Sequence, residues 1–224
     1  MDDSTWERWA PVGGIAFAVL VAVSAAITGS PPKLTDSTAK IVKYIADHQG
    51  ELRWSAYIAG IGTIGAFWWA GGVWRTLRRA EGGSPMLAVT AVLGLVFGAT
   101  LAALSGILLA TVAIPGVGTA MGAGGVRFFY TLGNTLIGGT GIGILVFTGA
   151  FSAVILRTGM LPRLVGWFGV LVAIVWIPGA ALMSTSRDAV FYLAFVGFVL
   201  FLLWVLAVSI TMLRTRASAV ASTA

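Results

Sequence analysis

Residues Pro85–Ile114, PMLAVTAVLGLVFGATLAALSGILLATVAI, run for about 30 positions without one ionisable side chain. A bilayer hydrocarbon core about 30 Å thick is crossed by roughly 20 apolar helical residues. This stretch therefore reads as a transmembrane helix, with a surplus that implies tilt or extension beyond the hydrocarbon. Working outward, five further runs meet the same length: Ala10–Gly29, Trp54–Trp74, Phe128–Leu156, Leu164–Met183 and Val190–Leu213. Alternating strands of the outer-membrane type are not found, which excludes a β-barrel. The expected fold is all-α: one polytopic membrane bundle of six transmembrane helices over residues 1–224. A short amphipathic helix at about 36–48 is expected in the first extracytoplasmic loop.

Composition agrees. Hydrophobic residues make up 58% and charged residues 10%, against about 25% charged in soluble domains; mean hydropathy is +0.96. All eight carboxylates and the one histidine lie between or outside the apolar runs. Proton-coupled mechanisms usually place such groups inside the spans. The chain has no cysteine, which removes disulfides, thiolate catalysis and cysteine-ligated metals. The first run is preceded by Asp2 and Asp3, unlike the basic flank of a signal peptide, so it reads as a retained helix.

An even number of spans puts both termini on one side, with Arg8, Arg75, Arg78, Arg79, Arg157, Arg163, Arg214 and Arg216. Opposite them fall Lys33, Lys40, Lys43, Arg53, Arg127 and Arg187. The short arginine-bearing loops decide the orientation: both termini are expected in the cytoplasm of a bacterial inner membrane. Trp6, Trp9, Trp74 and Trp167 then mark the inner interface and Trp54 the outer. Net charge +6 fits anchoring to anionic headgroups. The basic residues form no nucleic-acid stripe.

Arg75-Thr76, Arg157-Thr158 and Arg214-Thr215 recur at alternate span ends and suggest three stacked hairpins. In the first outer loop Leu34, Thr38, Ile41, Val42 and Ile45 share one helical face, and Lys40, Lys43 and Asp47 another. That pattern describes a cap over the bundle mouth or a helix resting on the membrane. Thr35 or Asp36 is expected to start it and Gly50 to stop it. The Pro115–Gly125 segment reads as a flexible glycine-rich loop, and Ser184–Ala189 as a tight connection.

Candidate sites are few. His48, in Asp47-His48-Gln49-Gly50-Glu51, lacks the spacing of a metal site, and a solvated helix end explains it better. Gly94, Gly98, Ala102 and Gly106, with Gly139 and Gly143, are spaced for close helix packing. Asn134, with Thr131 and Thr135, is the most polar point inside a span and is expected to cross-link helices or touch a ligand. Pro178-Gly179 is expected to kink span five, and the kink either opens a pocket beside Trp176 and Met183 or is a packing adjustment. Arg127 and Arg187 read as headgroup anchors; paired with Asp47, Glu51 or Asp188 they would bind an anionic lipid head or close the mouth.

Three patches carry a resemblance: Asp36–Gly50 (DSTAKIVKYIADHQG), Gly71–Gly82 (GGVWRTLRRAEG) and Leu161–Gly169 (LPRLVGWFG). They resemble a group of actinobacterial six-helix membrane proteins of unknown function. The resemblance implies topology and host type and carries no activity.

Neither cofactor nor metal is expected, and no residue is assigned to catalysis. The favoured function is binding of a lipid or hydrophobic molecule, or service as a subunit of a membrane complex. Membrane lipids, a second copy or another membrane protein are its expected partners. The alternatives are a uniporter or channel for a neutral or apolar solute and, third, an enzyme using Asp47, His48, Glu51, Arg53 and the outer-loop lysines.

Overall fold

The computed structural model describes residues 3–183 and 187–221. Every regular element among them is helical: α1 (Asp3–Thr28), α2 (Thr38–Asp47), α3 (Gln49–Glu81), α4 (Met86–Val112), α5 (Val117–Thr158), α6 (Arg163–Gly179) and α7 (Asp188–Ala221). A 3₁₀ turn, Ala180–Met183, follows α6. Five helices (α1, α3, α4, α5 and α7) are long and apolar enough to cross a membrane, whereas α6 has 17 residues and falls short. A multi-pass helical membrane bundle is the architecture.

The helices close a ring. Each of α1, α3, α4, α5, α6 and α7 packs on the next, and α7 packs back on α1. The short helix α2 lies across one end, against α5 and α3; this is the cap end. The hairpins α1–α3, α4–α5 and α6–α7 are therefore neighbours around a common centre. Thr76, Thr158 and Thr215 each return a hydroxyl hydrogen bond to the carbonyl four residues back.

Backbones touch where glycines permit it. A Cβ on Gly143 of α5 would lie 2.5 Å from Gly98 N and 2.6 Å from Gly94 O of α4. The partner of the four-residue glycine stripe is thus within the chain. Gly106, at its far end, would meet only Ala56 Cβ at 3.9 Å. Ala102 is half-buried, and Gly139 is buried. The α1–α3 pair uses the same device: a Cβ on Gly13 would fall 2.7 Å from Gly65 O, and one on Gly65 2.8 Å from Gly13 O. The same pair is clasped by buried Ser24 and Ser55. Each hydroxyl donates to the other residue's carbonyl at 3.0 Å, and the two hydroxyls lie 2.8 Å apart.

Aromatic rings fill the centre. Phe147 of α5 meets Trp69 of α3 edge-on at 5.6 Å and Trp204 of α7 at 5.5 Å; Phe151 meets Trp204 at 5.3 Å. All four are fully buried. Edge-to-face pairs are worth about 0.5–1.5 kcal/mol each beyond burial. Trp204 Nε1 donates to Val165 O at 3.0 Å, which ties α7 to α6.

Several boundaries differ from the sequence expectation, each for a local reason. Ser37 caps α2, its hydroxyl accepting Lys40 N–H at 3.3 Å. Gly50 does not end that helix; it sits in the first turn of α3, and His48 is the junction. The Pro115–Gly125 segment is largely helical rather than a loop, interrupted at Gly122, whose φ of 70° breaks the helix. The α-helix of span five ends at Gly179, and a 3₁₀ turn, Ala180–Met183, follows it directly. Pro178 supplies no amide, and Ala180 N–H turns back to Pro178 O and Trp176 O. Residues 184–186 of the expected tight connection lie outside the described residues.

Opposite the cap, Glu81 closes the α3–α4 turn. Its carboxylate accepts Leu87 N–H at 3.0 Å and Ala88 N–H at 2.9 Å. It supplies the N-terminal cap that Pro85 cannot give with its side chain. Gly82 and Gly83 both take positive φ to bring the chain round.

Candidate functional site

The cap end gathers most of the polar side chains singled out in the sequence. Ile41 and Ile45 of α2 are buried with Leu52, Val112, Ala113, Val126 and Tyr130. The apolar face therefore packs on the bundle itself. Lys40 pairs with Asp36 at 2.8 Å and Lys43 with Asp47 at 2.9 Å, both on the exposed side. The Lys40 ammonium and the Lys33 amide hold the Asp36 carboxyl below its ordinary value. Tyr44 donates to Thr28 O at 2.8 Å, and its phenol is pushed up by burial, then by Glu51. His48 stacks on Tyr44 at 4.5 Å, with Nδ1 2.9 Å from Tyr44 O. Among the described residues no three of His, Asp and Glu gather as metal ligands.

Arg127 corrects the anchoring expectation. Its guanidinium reaches back across the loop, donating to Asp36 O at 2.7 Å, Leu34 O at 2.9 Å and Thr38 Oγ1 at 3.3 Å. Tyr130, one turn on, donates to Pro32 O. The side chain is a clasp for residues 32–38, with its donors turned to the protein. An Arg127→Met chain is expected to lose about 2 kcal/mol of cap closure, roughly a 30-fold rise in opening. Maleimide labelling of an added Ile41→Cys reads this directly, because Ile41 is fully buried and the chain has no other thiol. Unchanged labelling would show that the apolar face alone holds the cap. Arg187 stands exposed at the start of α7, and Arg53 is exposed on α3, its Nε donating to Gln49 O at 3.3 Å.

The polar point in α5 is turned on its own helix. Asn134 Nδ2 donates to Tyr130 O at 2.8 Å and Thr135 Oγ1 to Thr131 O at 3.0 Å. The cross-helix polar link expected of Asn134 is found instead at Ser24–Ser55. Trp176 is buried at 3% exposure. Its ring edge fills the space a side chain would need at Gly141, Gly179 and Gly197. It closes the place where a pocket was expected; the Met183 side chain lies outside the described ones.

Hollows lie at the two ends of α3. One, of about 450 Å³, is lined by Arg53, Trp54 and Tyr57. The other, about 440 Å³, is lined by Trp74, Arg75, Arg78, Arg79, Gly82 and Gly83. Both are open to the surroundings. In sequence the second shows only as a run of arginines; the turn at Gly82 and Gly83 that shapes it carries no local signal of the hollow. Comparison with family models, curated proteins and solved structures finds no match for this chain.

Proposed function

We propose that this chain is a non-enzymatic, six-crossing protein of a bacterial cytoplasmic membrane. It binds a lipid or other hydrophobic molecule on its flank, alone or as a subunit of a larger membrane complex. The filled centre carries this reading. Trp69, Phe147, Phe151 and Trp204 occupy the axis that a solute would take, and the clasped cap covers one end. Contact with a ligand is thereby moved to the outer face, where α3, α4 and α7 present large apolar side chains. The sixth crossing is α6 continued by the 3₁₀ turn. At about 1.5 Å and 2 Å per residue the two rise about 33 Å, enough for the hydrocarbon core.

The arginine-bearing ends of α3, α5 and α7 and the start of α6 face the cytoplasm under the positive-inside rule. The cap, with its Lys–Asp pairs, faces outward. Native mass spectrometry of gently extracted protein tests the binding reading: retained lipid is the expected result. Loss of every adduct, together with neutral-solute flux into proteoliposomes above that of empty vesicles, would favour the uniporter instead.

A further inference from the structure

At the cap end of α3 a group of hydrogen-bond donors faces outward together. Arg53, Trp54 and Tyr57 line the hollow there, and all three are exposed. Arg53 Nε donates to Gln49 O at 3.3 Å, which orients the guanidinium and leaves Nη1 and Nη2 for another acceptor. The Trp54 and Tyr57 rings meet edge-on at 5.9 Å with their planes 78° apart, so they form a corner beside it. Neither the indole N–H nor the phenol O–H has a hydrogen-bond partner among the described residues. Of the carboxylates nearest in sequence, Asp47 pairs with Lys43. Glu51, two residues before Arg53, stands about 200° away round the helix.

Below this corner the same face of α3 is apolar. Gly60, Ile61 and Ile64 lie within about 60° of Tyr57 round the helix, and all are exposed, Ile64 by 67%. A Cβ on Gly60 would meet nothing within 4 Å, so the surface dips there. From Trp54 to Ile64 the helix rises about 15 Å, half of a hydrocarbon core about 30 Å thick. The strip thus has the length of one leaflet, with the donors at its headgroup end.

Resting on the lipid-binding reading above, we infer that this corner binds the phosphate of a phospholipid in the leaflet on the cap side. The two Nη groups of Arg53, the Trp54 N–H and the Tyr57 O–H donate to the phosphate oxygens. An acyl chain follows Gly60, Ile61 and Ile64. Parallel guanidinium N–H bonds match a phosphodiester in geometry and charge. A diacylglycerol offers the same tails but no anion to the donors.

The test is native mass spectrometry of the full chain equilibrated with equal amounts of phosphatidylglycerol and a diacylglycerol of the same acyl chains. The unaltered protein is expected to retain the phospholipid preferentially. Arg53→Gln should lower that preference about fivefold, the worth of one basic residue beside anionic lipid. Arg53→Lys keeps the charge without the parallel donors and should recover only part of it. Trp54→Phe and Tyr57→Phe together keep both rings, remove their donors and should lower the preference at least about twofold. Should that double variant not purify, Arg53→Gln alone decides, because it alters an exposed side chain. Arg163→Gln, exposed at the opposite end of the bundle, should change nothing. Gly60→Leu fills the dip and should lower retention of both lipids; full retention there overturns the acyl-chain placement. Displacement of the phospholipid by excess inorganic phosphate overturns the lipid assignment. Adducts of both lipids without preference, or a preference that survives Arg53→Gln, overturn the site alone and leave the three side chains as interfacial anchors. Absence of any lipid from the unaltered protein overturns the broader reading as well.

Discussion

A Gly143→Leu chain is expected to lose the α4–α5 contact and with it the compact bundle. A Cβ at this position already comes within 2.6 Å of Gly98 N, Gly98 Cα and Gly94 O. These are backbone atoms of a regular helix, which cannot swing aside as a side-chain end can. Overpacking a fitted site by a methylene or two typically costs about 1–3 kcal/mol; a whole leucine against backbone should cost at least about 3 kcal/mol. Helicity followed through a detergent-unfolding titration is the measurement. Gly149→Leu is the control on the same helix, since a side chain there would meet nothing within 4 Å. Equal midpoints for the two variants would show that the α4–α5 approach contributes little.

Trp204→Ala is expected to be comparably damaging, by about 3–5 kcal/mol. The substitution empties the centre, removes the edge-to-face contacts with Phe147 and Phe151, and deletes the donor to Val165 O. Trp204→Phe keeps an aromatic ring in the centre but loses the donor and part of the buried ring volume, so it should recover about half of the lost stability. The same unfolding titration reads both. Destabilisation by the phenylalanine variant as large as by alanine would place the weight on the indole's pyrrole edge and its α6–α7 hydrogen bond rather than on the edge-to-face ring contacts.

Much of the fold was legible because hydropathy in lipid is a property of a segment by itself. Pro85–Ile114 announces a helix whatever it packs against, and Ile41 and Ile45 announce a buried face for α2 by spacing alone. The four-residue glycine stripe likewise announced close packing, which Gly94, Gly98 and Gly143 carry. What could not be read was the choice of partner. Gly13 and Gly65 meet across about fifty residues, and nothing in either local pattern names the other. Ser24 and Ser55 are two ordinary serines until the α1–α3 register sets them face to face.

Arg127 departs from expectation for the same reason. A basic residue at the edge of an apolar run is ordinarily a headgroup anchor, and its carbonyl partners Leu34 and Asp36 lie some ninety residues earlier. Gly50 and Gly122 show a further limit. Gly122 takes a positive φ and interrupts α5, whereas Gly50 does not and sits inside α3, and composition does not distinguish the two. Asn134 stands out in sequence by polarity alone, and its amide is used within its own helix.

Ring closure has a consequence for synthesis. Every helix from α3 to α6 can dock on a predecessor already made, but α1 waits for its second neighbour until α7 is in place. Trp204, which fills the middle, arrives with that last helix. Before then Trp69, Phe147 and Phe151 border a cleft open on one side, and the Gly14 surface lacks the Ser209 hydroxyl that later faces it. A ribosome halted after α6 would leave a crescent with its aromatic inner wall offered to lipid. The docking of α7 is therefore the step on which assembly turns.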